Sequence, residues 1–172
     1  MQKIIGSILI VLSASALGMI KGQELQKRLS DMLEIKRIFI ILKSQIEYTR
    51  STFPAVFGQM ARRCDGIYKE WLLYLAKELN KCQANRIRNI WEDGVDEVLF
   101  KTQLKKTELE LIKSVGTNLG QLDIESQTNA ICLFLEQWEE TIQKTRADLD
   151  AKKRLSNLLG VLGGAFLVIL LV

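Results

Sequence analysis

Two uncharged apolar runs, one near each end of the chain, constrain what this sequence can fold into more than any other feature. Residues 4–20 and residues 158–172 contain no Asp, Glu, Lys or Arg. A helix of the first run would be about 25 Å long, close to the thickness of a bilayer core. The second run is shorter and can span with local thinning of the bilayer. The sequence therefore predicts transmembrane segments over 1–21 and 158–172, with a domain of residues 22–157 between them.

Each run also has a second interpretation. Lys3, the apolar centre and the small residues Ala14-Ser15-Ala16 fit a cleaved signal peptide. The second run is short enough to be a buried core helix. Against cleavage, apolar residues continue past Ala16 as far as Ile20, and helical periodicity then continues into the middle of the chain. Insertion of both runs into a membrane is the interpretation we favour.

Small residues occur at helical spacing in both runs. Gly160 and Gly164 form a G-x-x-x-G pair, and Gly18 lies midway between Ala14 and Gly22 at four-residue spacing. Such spacing lets two helix backbones approach closely inside a membrane. We expect Gly18, Gly160 and Gly164 to be packing positions of a transmembrane hairpin.

The charges that flank the runs predict an orientation. Only Lys3 lies on the outer side of either run, and the basic residues on the inner sides are Lys21, Lys27, Arg28, Lys152, Lys153 and Arg154. The positive-inside rule then places the middle of the chain in the cytoplasm. Three cysteines without paired spacing also favour a reducing compartment.

The middle of the chain predicts an all-α fold, a bundle of about six helices whose first and last helices extend into the terminal segments. The first helix should continue from the membrane to about Tyr48, and the last should begin at the N-cap Asp123. The last helix has apolar residues at heptad-like spacing, which predicts a coiled-coil-like pair with the first helix. These residues are Ile124, Ile131, Leu135, Trp138, Ile142 and Leu149.

Four shorter helices are predicted between the long ones. Thr52 is the expected N-cap of the second, which has Pro54 in its opening turn. The third and fourth are predicted over 67–81 and 84–100. The fifth should begin at a capping box of Thr107 with Glu110, and Gly116 and Gly120 should end it.

The composition excludes several classes of function. Histidine is absent, which removes the commonest general base and the commonest transition-metal ligand. No Gly-rich phosphate loop or nucleophile elbow occurs. The net charge of +4 is spread over segments of mixed sign, unlike a nucleic-acid-binding surface. We expect a non-enzymatic protein with no cofactor, no metal and no nucleic-acid partner.

Two groups of side chains are candidate sites by their chemistry. Glu136, Glu139 and Glu140 form an acidic cluster, which we interpret as a solvated helix face and not as a cation site. The three tryptophans lie on apolar stripes, and we interpret them as core residues and not as a ligand pocket.

Four stretches carry a resemblance to a known family. They are residues 4–20, the sequence Glu47-Tyr48-Thr49 leading to Pro54, residues 119–127 and residues 159–164. Over its whole length the chain resembles the stage III sporulation protein AB family of endospore-forming bacteria. The resemblance makes Tyr48, Pro54, Gly120, Asp123 and Gln127 candidate partner-contact or motif residues.

The resemblance implies a component of the sporulation channel complex, in the mother-cell membrane around the forespore with its bundle in the mother-cell cytoplasm. The family is similar to platform proteins of type II secretion and type IV pili, whose cytoplasmic helical domains engage a hexameric ATPase. The implied partners are an ATPase similar to stage III sporulation protein AA, other channel membrane subunits and membrane lipid. The chain departs from platform proteins in having one helical domain where they have two.

The sequence and the resemblance therefore leave two hypotheses for the function of the protein. The first is a membrane-anchored scaffold or platform that couples a cytoplasmic secretion-type ATPase to membrane channel subunits. The alternative is an adaptor on the extracytoplasmic side, made by signal cleavage and held only by its C-terminal tail.

Overall fold

The structure, a computed structural model, describes the backbone of residues 2–49, 51–81, 86–119 and 123–171. Side chains are described within these ranges between residues 23 and 155, except residue 153. This part of the chain contains helices and no strand, which confirms the all-α prediction. The six helices are α1 (Gln2–Tyr48), α2 (Phe53–Ala61), α3 (Gly66–Lys81), α4 (Ile87–Glu97), α5 (Lys106–Gly116) and α6 (Ile124–Leu171), with a 3-10 turn at Leu99–Lys101.

The two long helices, α1 and α6, run antiparallel along one another. Phe39 packs against Phe134 with ring centroids 4.1 Å apart and their planes tilted by 30°. One turn earlier on α1, Lys36 Nζ lies 2.7 Å from Glu139 Oε2, which is further along α6. Residue numbers thus rise along α1 while they fall along α6, and the predicted pairing of the first and last helices is confirmed.

The seam between α1 and α6 is built largely from the predicted heptad-like residues. Ile131, Trp138, Ile142 and Leu149 are buried, whereas Leu135 is half-buried. Ile124 is the exception, since it is 52% exposed at the first turn of α6. Its assignment to the interior stripe was wrong because α6 extends past the end of the core there.

The shorter helices cover the side of this pair around a cluster of aromatic rings. Trp91 of α4 is 5.1 Å from Trp71 of α3 and 5.8 Å from Phe39 of α1, measured between ring centroids. Trp91 also donates a hydrogen bond of 2.9 Å from its indole N–H to the backbone oxygen of Ile112 in α5. All three tryptophans are buried, which confirms their interpretation as core residues.

Two predicted helix starts differ from the structure. Thr52 occupies the N-cap position of α2 but its side chain makes no capping hydrogen bond. The predicted capping box of Thr107 with Glu110 is wrong, since α5 begins two residues earlier and Glu108 takes the capping role. The Glu108 carboxylate accepts the Lys105 backbone N–H at 2.7 Å.

The fourth predicted helix, 84–100, is shorter and divided. Its regular part is Ile87–Glu97, and the chain then tightens into the 3-10 turn before Thr102. This tightening lets Leu99 remain buried while Phe100 turns outward. Residues 84 and 85 lie outside the described part of the chain.

Within the residues whose side chains the structure describes, no helix has an apolar stretch long enough to cross a membrane. The predicted transmembrane segments, 1–21 and 158–172, and the packing positions Gly18, Gly160 and Gly164 lie outside those residues. Both remain predictions.

Candidate functional site

A buried ion pair joins the long helix α1 to the start of α5. Arg28 of α1 and Glu108 of α5 are only 9% and 3% exposed. The Arg28 Nε donates to both carboxylate oxygens of Glu108, at 3.1 and 3.2 Å, and Nη2 donates to Oε1. Because ionised groups lose much solvation free energy on burial, such a pair persists only when its partners satisfy each other.

Glu108 also caps the start of α5. Its carboxylate also accepts the Lys105 backbone N–H, which leads into the first turn of α5. One side chain therefore caps α5 and fixes that helix against α1. Removal of either partner would leave a charge buried without its counter-ion.

Asp31, one turn further along α1, ties two more segments to the same helix. Its Oδ1 accepts a hydrogen bond of 2.6 Å from the Tyr68 hydroxyl of α3. Its Oδ2 accepts one of 2.9 Å from the backbone N–H of Gln103. Burial, and secondly the bond to Asp31, raises the pKa of Tyr68 well above its usual range.

We define the junction as these six residues: Arg28, Asp31, Tyr68, Gln103, Lys105 and Glu108. Beside it lies an open cleft of about 340 Å³ between α1, α6 and the loop before α5. The cleft is lined by Glu24, Leu25, Arg28, Gln103, Lys105, Asp148 and Lys152. The junction thus holds the loop at residues 102–105 beside the segments that continue toward the two apolar runs.

The junction was not predicted from the sequence, although its two central charged residues stand at positions where apolar residues are expected. Arg28 lies four residues before buried Met32 and seven before buried Ile35, so it occupies an apolar-stripe position of α1. Glu108 stands in the same relation to Ile112 and Val115 in α5. Opposite charges at two stripe positions indicate a buried pair, but only the tertiary structure shows that α1 and α5 meet there.

The candidate residues from the resemblance lie at the opposite end of the helix pair. Because Phe39 is opposite Phe134, the seven-residue repeat places Ile46 opposite Gln127. Tyr48 ends α1 and is 83% exposed. Pro54 lies half-buried in the first turn of α2.

Asp123 is the N-cap of α6, as predicted. Its carboxylate accepts the backbone N–H groups of Glu125 and Ser126 at 3.2 and 3.0 Å, and the Ser126 hydroxyl at 2.6 Å. The hydroxyl of Ser126 and then its backbone N–H lower the pKa of Asp123. One turn later, Gln127 is buried. Gly120, the remaining candidate, lies outside the described residues.

We define the distal end as the region of Tyr48, Pro54, Asp123, Ile124 and Gln127. Tyr48 and Ile124 are large apolar side chains that remain mostly exposed there. The structure thus brings the described candidates to one end of the bundle, with the junction near the other. Asp123 and Gln127 have structural roles at this end, whereas the exposed Tyr48 has none in the described contacts.

The acidic cluster on α6 behaves as a helix face. Glu139 pairs with Lys36 and accepts a hydrogen bond of 2.7 Å from Gln143 Nε2, and the Lys36 contact chiefly lowers its pKa. Glu136 and Glu140 are exposed. In the part of the chain that the structure describes, no group of three or more Cys, Asp or Glu could hold a metal ion.

Comparison with known proteins gives one consistent result. The sequence model of the family described as stage III sporulation protein AB matches residues 3–172. Stage III sporulation protein AB of Bacillus subtilis (strain 168) is 23% identical over 171 residues, which is 99% of each chain. A solved structure of stage III sporulation protein AB shares the fold, with a TM-score of 0.65, 22% identity, and coverage of 72% of this chain and 97% of that one. Because the family model spans almost the whole chain, this sporulation-related protein belongs to the stage III sporulation protein AB family.

Proposed function

We propose that this chain is a non-enzymatic, membrane-anchored scaffold of the channel complex between mother cell and forespore. Its helical domain would couple a cytoplasmic secretion-type ATPase, similar to stage III sporulation protein AA, to the membrane subunits of the channel. The observation that carries this proposal is the antiparallel arrangement of α1 and α6.

The antiparallel arrangement gives the bundle two different ends. Both long helices continue without interruption through the apolar runs, α1 from Gln2 and α6 to Leu171. Because the helices are antiparallel, both runs leave the bundle on the same side, as two membrane anchors of one domain require. The distal end then points away from the membrane and toward a partner in the cytoplasm.

The distal end has the features of a contact surface. Tyr48 and Ile124 expose 83% and 52% of their surface, and tyrosine is among the residues that most often dominate protein interfaces. The stretch around Tyr48 and the stretch that leads into α6 also carry the resemblance to the family. We therefore assign ATPase binding to the distal end and membrane attachment to the other.

A matched pair of variants tests this assignment. The full-length chain carrying Tyr48→Ala and Ile124→Ser is compared with one carrying Leu73→Ser and Phe100→Ala, since Leu73 and Phe100 are also exposed, on α3 and the 3-10 turn. The measurement is the amount of ATPase that co-purifies with each variant from detergent extracts of sporulating cells. With the first variant this amount should fall at least about tenfold, as for central interface residues. The second variant should recover the same amount as the wild type. The opposite result would place the ATPase contact elsewhere.

The intact mass of the mature chain tests the anchoring. Retention of residues 1–20 supports two membrane segments and a cytoplasmic bundle. Loss of residues 1–16, by cleavage after Ala16, would favour the alternative, an adaptor on the extracytoplasmic side held by its tail.

A further inference from the structure

We infer that the loop before α5 is a third membrane contact, in which Lys105 and Lys106 bind the headgroups of anionic lipids. This inference rests on the proposed membrane anchoring and adds a surface that the anchors alone do not provide. It comes from three observations: the height of the loop along the long helices, its fixed position and its charge.

The loop lies close to the level at which the helices would enter a bilayer. Lys105 lines the same cleft as Glu24 of α1 and Lys152 of α6. Glu24 is four residues from the end of the first apolar run and Lys152 is six residues before the second, or about 6 and 9 Å at 1.5 Å per residue. The headgroup layer is about 5–8 Å thick on each side of a bilayer. An extended lysine side chain at this height reaches that layer.

The junction holds the loop in this position. The Gln103 backbone N–H is bonded to Asp31, and the Lys105 backbone N–H is bonded to Glu108, which is itself paired with Arg28. The Asp31 carboxylate therefore connects the loop to α1 directly. The Glu108 carboxylate connects it to α1 through Arg28. The loop cannot move away from α1 without breaking these two hydrogen bonds, one of them to a carboxylate of the buried ion pair.

The charge of this region suits an anionic surface. Lys105 and Lys106 are exposed, and no ion pair within the described residues engages either of them. Arg28 is neutralised by Glu108. Among the described residues that line the cleft or lie within two residues of its lining, seven exposed residues are basic and three are acidic: Lys27, Lys101, Lys105, Lys106, Arg146, Lys152 and Arg154 against Glu24, Asp148 and Asp150. A basic residue near an anionic membrane surface strengthens binding about fivefold.

Lysine footprinting of the full-length chain in lipid nanodiscs tests the contact. The chain is inserted into discs of phosphatidylcholine alone or with phosphatidylglycerol, and the acetylation rate of each lysine is measured by mass spectrometry. Acetylation of Lys105 and Lys106 should slow severalfold in the anionic discs, and this effect should weaken as salt is raised. Lys77 is the internal control, because α3 runs from Tyr68 beside Asp31 toward Trp71 and the aromatic cluster, away from the proposed membrane side.

The same experiment separates failure of this inference from failure of the anchoring. If the chain does not enter the discs, the proposed membrane attachment fails. If it enters and Lys152 is slowed while Lys105 and Lys106 are not, the anchoring stands and the third contact is overturned. If inorganic phosphate alone slows Lys105 and Lys106 equally in phosphatidylcholine discs, the loop binds free anions and the lipid assignment is wrong.

Matched charge variants provide a second measurement. Lys105→Gln with Lys106→Gln is compared with Arg62→Gln with Lys77→Gln, exposed residues that do not line the cleft. After release from anionic discs into mild detergent, native mass spectrometry counts the phosphatidylglycerol molecules retained per chain. The first variant should retain at least twofold fewer than the wild type, and the second should match the wild type. Equal retention by both variants would contradict the inference.

Discussion

Gly116 of α5 packs directly against the indole ring of Trp91 in α4. A Cβ atom at this position would lie 2.4 Å from Trp91 Cδ1 and 2.8 Å from Cγ, well inside van der Waals contact. The ring cannot easily move, because its N–H is bonded to the Ile112 backbone oxygen and the ring packs against those of Trp71 and Phe39. The sequence suggested a helix-ending role for this glycine, and α5 does end there, but the contact with Trp91 is an additional requirement.

We therefore predict that Gly116→Ala destabilises the bundle by about 1–3 kcal/mol, the usual cost of overpacking a core. Gly58→Ala is the matched control, since a Cβ at Gly58 of α2 meets nothing within 4 Å. That change should stabilise the bundle by about 0.5–1 kcal/mol, because alanine favours the helix over glycine. Chemical unfolding of the full-length chain in detergent, followed by near-ultraviolet circular dichroism, measures both. Equal effects of the two substitutions would contradict the role of the Trp91 contact.

The Arg28–Glu108 pair predicts a strongly non-additive mutant cycle. Arg28→Met should cost about 3–5 kcal/mol, because it leaves the Glu108 carboxylate buried without its counter-ion. Adding Glu108→Gln to Arg28→Met should recover much of this loss, since the glutamine is neutral and can still accept the Lys105 N–H. The free energies of unfolding of the wild type, both single variants and the double variant give the coupling energy. A double variant that is as unstable as the sum of the two single variants would show that the pair is not coupled.

The lowered pKa of Asp123, at the start of α6, predicts that the free energy of unfolding depends on pH. Because the pKa of Asp123 is lowered in the folded protein, its ionised form stabilises the fold above the ordinary aspartate pKa. This contribution should be lost as the pH falls through the lower, folded-state pKa. Asp123→Asn keeps a capping oxygen but does not titrate, so its stability difference from the wild type should shrink between about pH 5 and pH 3.

Asp123→Ala serves as the control for the cap itself. This variant should unfold at lower denaturant concentration than Asp123→Asn throughout that pH range, because it removes the acceptor for the Glu125 and Ser126 N–H groups. If the alanine variant melts as the wild type does but no longer binds the proposed ATPase partner, Asp123 is a partner-contact residue and not a cap.

Local sequence patterns were sufficient to predict the main elements of the fold. Uninterrupted helical periodicity predicted that the first helix reaches Tyr48, and heptad-like spacing predicted the pairing of α1 with α6. These predictions succeeded because long amphipathic helices have many residues that agree on one face. Asp123 was also predictable, because N-caps depend on interactions within one turn.

The predictions that failed depended on contacts between distant segments. Thr107 and Glu110 match a capping motif, but the ion pair of Glu108 with Arg28 sets the start of α5 at Lys106. The fourth helix ends early because the chain must return Leu99 to the core. The junction as a whole joins residues up to 80 positions apart, as between Arg28 and Glu108, and no local pattern specifies such a pairing.

The antiparallel pairing of α1 and α6 also determines the order in which the chain can fold during synthesis. The Trp138 N–H donates a hydrogen bond of 2.8 Å to the Met32 backbone oxygen across 106 positions of sequence. A ribosome needs about 5–20 s to add that many residues. During this interval, α2 and α3 can already pack as a local hairpin, while the face of α1 that contains Met32 and Phe39 has no partner from α6. Closure of the bundle must therefore be a late, long-range event, and the nascent chain exposes an apolar helix face to chaperones until translation is nearly complete.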